Sequence, residues 1–160
     1  FYLEFGVLGG GTINLFSQFL NTEIYGFDSF IGLREDMKGA DHVEGDFNLE
    51  GKIPFLKKNV IPIKGWVQDT LPKFLEEKKP LINFVHMDLD TYESTKFVLN
   101  SIKKYLDKNC VIIFDDFYNF AGWEMGENKA FNEVFEEDEF NFLAFSKYDR
   151  TVSIKYLGKK

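Results

Sequence analysis

The sequence predicts an α/β fold: a doubly wound, mostly parallel sheet with an antiparallel hairpin at its C-terminal end. Two apolar runs, residues 82–87 and 111–114, show no polar alternation, as expected of parallel strands covered on both faces. Asp88 ends the first run, and Asp115 and Asp116 end the second. Between them lies a helix pattern with Val98, Leu99, Ile102, Tyr105 and Leu106 on one stripe. A right-handed crossover sets two such strands side by side or nearly so, and neighbouring strands lie roughly 4.8 Å apart. The three carboxylates then meet at the carboxyl edge of the sheet, where open α/β folds bind their ligands. Such a cluster repels itself unless a proton or a hard cation neutralises it.

The other elements follow in order. Residues 2–7 read as a first strand, 8–12 as a glycine-rich turn and 13–20 as a short helix with Thr12 as its N-cap. A second strand, 23–27, ends in Asp28. Residues 29–58 lack periodicity and read as a long loop with one helical turn; loops of that length in compact domains are usually functional or mobile. Residues 60–64 form a third strand, and Thr70-Leu71-Pro72 starts a helix running to about Lys78, with proline tolerated in the first turn. The run 82–87 is the fourth strand, 92–106 the strongest helix and 111–114 the fifth strand. A helix over 127–136 carries Ala130, Phe131, Val134 and Phe135 on one face, and its end at Glu136–Glu139 reads as solvated. Strands at 140–145 and 151–157, broken at Tyr148-Asp149-Arg150, form the closing hairpin.

Composition narrows the function. At 160 residues, 44% hydrophobic with 19 phenylalanines, the chain is one domain with ample core and is not disordered. A net charge of −7 disfavours a nucleic-acid backbone as partner and leaves small molecules or cations. No apolar stretch reaches the roughly 20 residues that span a bilayer, and no signal-peptide pattern stands at the start. The single cysteine, Cys110, reads as a buried, inert thiol. Together these give the expectation of a cytoplasmic protein without a membrane partner. The chain opens at Phe1, directly inside a strand, and reads as a piece lacking an N-terminal segment.

Four motifs carry chemistry. Glu4 to Thr12 is a strand running through glycines into a helix, an arrangement that lets backbone and helix N–H groups approach a nucleotide or nucleoside. Its alternative is a tight turn without ligand. Gly6, Gly9, Gly10 and Gly11 do not give the GxGxxG spacing, which counts against a nicotinamide-dependent oxidoreductase. Asp28 is placed to accept both hydroxyls of a ribose, or is a solvated loop acid. Trp66 either stacks on a base or packs. Asp88-Leu89-Asp90-Thr91 followed by Asp115-Asp116 also matches phosphatases of the haloacid-dehalogenase type, but the interval here holds one helix, too little for that fold. His86 reads as a satisfied core histidine, while His42 is a mobile surface residue or a general base reaching over the site.

Glu4–Val7 with Gly10-Gly11-Thr12, Gly26–Leu33, Gly65–Pro72, Asp88–Thr95 and Asp115-Asp116-Phe117 stand in the order of five linked motifs. In these the chain resembles the macrocin/mycinamicin O-methyltransferases, class I enzymes that use S-adenosylmethionine and Mg²⁺ to methylate sugar hydroxyls. The resemblance implies a seven-stranded methyltransferase sheet and a small-molecule hydroxyl acceptor. It places Glu4, Gly6 and Gly10 near the methionine moiety, with Thr12 and Ser29 alongside in the cofactor set. Asp28 falls on the ribose, and Trp66 and Asp69 on the adenine side. It gives Asp88, Asp115 and Asp116 to Mg²⁺, counts Asp88 with both cofactor and catalysis, and makes His42 the candidate base. Family members pair into oligomers, which makes a homo-oligomer an expectation here. The sequence departs from the family pattern at Arg34, where proline is frequent, and in having no segment before the first strand. That second departure keeps a degenerate, non-catalytic nucleoside-binding domain as the alternative.

Overall fold

The computed structural model describes residues 1–40 and 42–158. Seven strands form one sheet: β1 (Tyr2–Phe5), β2 (Ile24–Asp28), β3 (Val60–Lys64), β4 (Ile82–Met87), β5 (Leu106–Phe114), β6 (Phe140–Phe145) and β7 (Val152–Tyr156), in the order β3-β2-β1-β4-β5-β7-β6. The first five are parallel, and β7 runs antiparallel between β5 and β6. The strand order reverses between β1 and β4, which makes their carboxyl ends the topological switch point. The predicted fold class holds in full.

The α-helices among the described residues are α1 (Gly11–Ser17), α2 (Val67–Lys78), α3 (Tyr92–Ile102) and α4 (Glu127–Val134). The faces of the sheet follow from strand alternation. Leu3 and Phe5 of β1 join Leu71, Phe74, Val98, Leu99 and Phe131 of α2, α3 and α4 in the larger core. On the other side Ile13 of α1 packs with Val7, Ile24, Phe30 and Val60.

Several boundaries differ from the sequence expectation, each for a local reason. Thr12 is not the N-cap of α1; Gly10 is, at φ 79°, a conformation glycine adopts without strain, and Thr12 lies inside the first turn. Helix α2 starts at Val67 because Trp66 is extended and its carbonyl accepts the N–H groups of Asp69 and Thr70 and the Thr70 hydroxyl. Pro72 therefore sits in the second turn, where it offers no N–H to the Gln68 carbonyl. Helix α3 ends at Ile102; a 3-10 turn, Lys103–Tyr105, leads into β5, which starts at Leu106 rather than Val111. The extra residues are hard to read from sequence because β5 is irregular there, with Asn109 at φ 82° and a register shift against β4.

The described residues of 29–58 hold no helix. They fold back on themselves through turn bonds, Leu33 N–H to the Asp46 carbonyl and Gly51 N–H to the Phe30 carbonyl among them, with one bridge pairing Ile31 and Asn48. Met37 buries itself under the segment.

Candidate active site

The carboxyl ends of β1, β2, β4 and β5 open onto a cleft of about 490 Å³, lined also by His42 and Phe47 from the long loop and by Trp66 and Arg150. Its floor depends on Gly6. That residue adopts φ 87°, and a Cβ there would lie 1.7 Å from the Asp88 carbonyl oxygen. The glycine therefore lets β1 and β4 close on each other where the cleft begins.

Asp28 holds the β1–α1 turn in place. Its Oδ2 accepts the N–H groups of Val7 and Leu8 at 2.8 and 2.7 Å, and its Oδ1 accepts that of Phe30 at 2.6 Å. A carboxylate offers about four lone-pair sites, so Oδ1 keeps one for a ligand hydroxyl. Ser29 beside it donates to the Gly32 carbonyl and accepts the Ile31 N–H. Trp66 faces the cleft with the Arg34 guanidinium 5.5 Å from its ring centroid, a cation–π contact. In the long loop, His42 Nδ1 stands 3.4 Å from Asp46 Oδ2.

The acidic cluster adds Asp90 to the carboxylates singled out from sequence. Oxygens of Asp88, Asp90 and Asp116 lie within 4.8 Å of one another. Asp90 reaches the group because its backbone turns left-handed, at φ 61°. Asp115 lines the same cleft beside this trio; its Oδ1 accepts the Thr151 hydroxyl at 3.4 Å and lies 4.0 Å from His86 Nε2. Arg150 donates to Asp116 at 2.9 Å and rests on the Phe120 ring. Burial, and then the neighbouring charges of Asp115 and Asp116 among others, push Asp88 up to about 7. Burial, the Asp88 charge and contact with Asp116 push Asp90 up to about 9.

A buried pair stands behind the cluster on the α1 side of the sheet. Glu4 and His86 Nδ1 are 3.1 Å apart, and both side chains are almost fully enclosed. Burial lifts the Glu4 carboxyl; burial opposes a charged His86, but the Glu4, Asp88 and Asp115 carboxylates outweigh it and lift the imidazole. Both directions favour a proton held between the two groups.

Of the residues singled out from sequence, Gly6, Asp28, Ser29, His42, Trp66, Asp88, Asp115 and Asp116 surround the one cleft. Glu4 lies behind it, Gly10 and Thr12 sit at the start of α1, and Asp69 is exposed in the first turn of α2. Sequence reading placed Asp90 inside the Asp88–Thr95 motif but gave it no site role, and it passed over Glu127 and Arg150, which arrive from distant elements.

A model of a methyltransferase domain matches residues 3–117, from β1 through the acidic pair after β5. The chain belongs to this methyltransferase family. No match was found among curated protein sequences. Among solved structures, the methyltransferase domain is similar to the calicheamicin methyltransferase CalS11 at 24% identity and TM-score 0.79, covering 96% of this chain and 71% of that one. It is similar to an O-methyltransferase from Bacillus cereus in complex with SAH at 16% identity and TM-score 0.63, covering 98% and 73% of the two chains. MycE, from the mycinamycin biosynthetic pathway and in complex with Mg and SAH, aligns at 14% identity and TM-score 0.60, over 98% of this chain and 45% of its own. At these identities the likeness is one of fold. No helix among the described residues is long and apolar enough to cross a membrane.

The pH response of the methyltransferase domain follows from its carboxylates. A carboxyl raised from 3.8 to about 7 or about 9 binds more protons folded than unfolded, so stability falls as pH rises between those values. Without added divalent cation, the melting temperature is expected to decline from mildly acidic to mildly alkaline pH. With Mg²⁺ present the decline is expected to flatten or reverse. Thermal melts across the range, with and without Mg²⁺, check the sign.

Proposed function

We propose that this domain transfers a methyl group from S-adenosylmethionine to a hydroxyl of a sugar-like small molecule, with Mg²⁺ at the acidic cluster. The observation that carries the reading is the meeting of Asp88, Asp90 and Asp116 at the switch point of a methyltransferase-family sheet, next to the Gly6–Asp28 turn. Carboxylates pushed towards holding protons are a donor set that a hard cation fits, since it removes the repulsion that lifts them. Asp88, Asp90 and Asp116 would hold the ion, with Asp115 beside them; when bound it would lower the pKa of an acceptor hydroxyl. The cofactor would supply an electrophilic methyl on its sulfonium.

The protein's own part is to bind and orient. Gly6 leaves room at the floor, the remaining lone pair of Asp28 Oδ1 takes a ribose hydroxyl, and Trp66 presents a ring face to a base. His42, set against Asp46, takes the hydroxyl proton. Two of the similar structures, CalS11, a TDP-rhamnose 3'-O-methyltransferase, and MycE in complex with Mg and SAH, support a hydroxylated sugar as acceptor and magnesium as the ion.

Calorimetry of S-adenosylmethionine binding, with and without Mg²⁺, tests the reading first. Micromolar affinity is expected, followed by turnover of hydroxylated acceptors; absence of binding would overturn it in favour of a domain that transfers nothing. His42→Ala is expected to lower kcat by about 10²-fold or more while cofactor affinity holds. An unchanged rate would remove His42 from the base role.

A further inference from the structure

Glu127, the first residue of α4, is fully buried although it is a carboxylic acid. Among the described residues no ion pair to it is formed, and Arg150 at the cluster donates to Asp116. Its oxygens are instead divided between two chain segments. Oε1 accepts the Leu89 N–H at 3.4 Å, and Oε2 accepts the Asp116 N–H at 3.3 Å. Leu89 stands between Asp88 and Asp90 in the turn after β4, and Asp116 belongs to the turn after β5. A buried acid is costly unless its oxygens are hydrogen-bonded, and here those bonds make one side chain bridge the two backbone segments that carry the converging carboxylates.

We infer that Glu127 is a positioning residue that fixes the spacing of Asp88 and Asp90 against Asp116, so that the three can share one divalent cation. This rests on the metal role proposed above. Glu127 does not touch the ion in this role; it holds the amides on either side of the ligands. Its two oxygens lie in one plane, and each faces one of the two backbone N–H groups. The amide of glutamine keeps one acceptor and turns an N–H towards the other backbone N–H, which parts the two turns.

The test uses Mn²⁺ as the probe and the whole chain. Titration of wild type, Glu127→Gln and Glu127→Asp is followed by calorimetry, with SAH affinity and the melting temperature measured on the same samples. Glu127→Gln is expected to weaken Mn²⁺ binding about 10–100-fold, as loss of an outer partner to metal ligands does, while SAH affinity stays within about threefold. Amide exchange is read in parallel without metal. Leu89 and Asp116 should lose protection, and Gly6, whose N–H is bonded to the Phe27 carbonyl, should not. If the glutamine variant fails to fold, the aspartate variant, too short to span both amides, carries the same expectations. Mn²⁺ affinity unchanged in a variant, or unchanged exchange at Leu89 and Asp116, overturns the inference. Wild type failing to bind Mn²⁺ overturns the metal reading itself, and so separates the two failures.

Discussion

Gly6→Ala is expected to leave the domain largely unfolded at room temperature. The added methyl would stand 1.7 Å from the Asp88 carbonyl oxygen and 2.7 Å from its carbon, far inside contact distance, and the obstacle is backbone rather than a side chain that could swing away. The left-handed φ of 87° adds a further penalty of about 1 kcal/mol for any residue with a Cβ. Relief would require β1 and β4 to separate, but Gly6 N–H is held by the Phe27 carbonyl and Asp88 N–H by the Phe5 carbonyl, each at 2.9 Å. Parting them exposes the middle of the sheet. Domains of this size have about 5–15 kcal/mol of stability in total, and a clash of this kind consumes much of it. Gly9→Ala is the control: a methyl there meets nothing within 4 Å and the backbone is not left-handed, so its melting temperature should match wild type. Circular dichroism and thermal melts on the two variants read the contrast; a Gly6→Ala protein melting within about 2 °C of wild type would show that the close approach of β1 to β4 is not as described.

Asp88→Asn is expected to move stability and activity in opposite directions. The carboxyl is pushed up to about 7 by its burial and by the acids around it, so at neutral pH and above the charged form strains the folded state. An amide of the same shape removes that charge and should raise the melting temperature of the metal-free protein by about 3 °C or more. The same change deletes one of three converging oxygens that would share a cation, leaving an amide nitrogen or a weaker acceptor. Stabilisation by Mg²⁺ should vanish and turnover should drop about 10²-fold or more. Melts with and without Mg²⁺, together with a methyl-transfer assay, settle it: a variant that Mg²⁺ still stabilises as it does wild type removes Asp88 from the ion. Opposed movements of this kind mark sites where function keeps repulsion in a fold that would be more stable without it.

How much of this was legible in the sequence depended on whether the deciding interactions were local. Residues 82–87 could be read as β4 to the residue because Ile82, Phe84, Val85 and Met87 make a mainly apolar run between Pro80 and Asp88. Only the inner end of β5 was legible, since its start carries Asp107, Lys108 and Asn109 and a bent backbone. Asp88, Asp115 and Asp116 announced themselves because each follows an apolar run, and that placement alone brings them to one cleft. Asp90 joins through a left-handed turn that residue type does not specify, since aspartate tolerates that conformation without requiring it. Glu127 and Arg150 were out of reach altogether. Glu127 looks like the polar start of an amphipathic helix, and Arg150 like part of a hairpin turn; tertiary contact alone makes one a bridge and the other a counter-charge.

The threading of the last hairpin gives the domain an order of assembly. Because β7 inserts between β5 and β6 and the turn before it delivers Arg150 to Asp116, a segment synthesised after the parallel strands supplies a positive charge at the acidic edge. Strands β1 to β5 pair with one another through residues up to Phe114, so those ladders can begin to form while the acids at their ends still lack this partner. A nascent chain halted before Arg150 would therefore hold its strands more loosely in salt-free buffer than in dilute Mg²⁺, and the docking of the hairpin would register as a late, ion-sensitive phase in refolding.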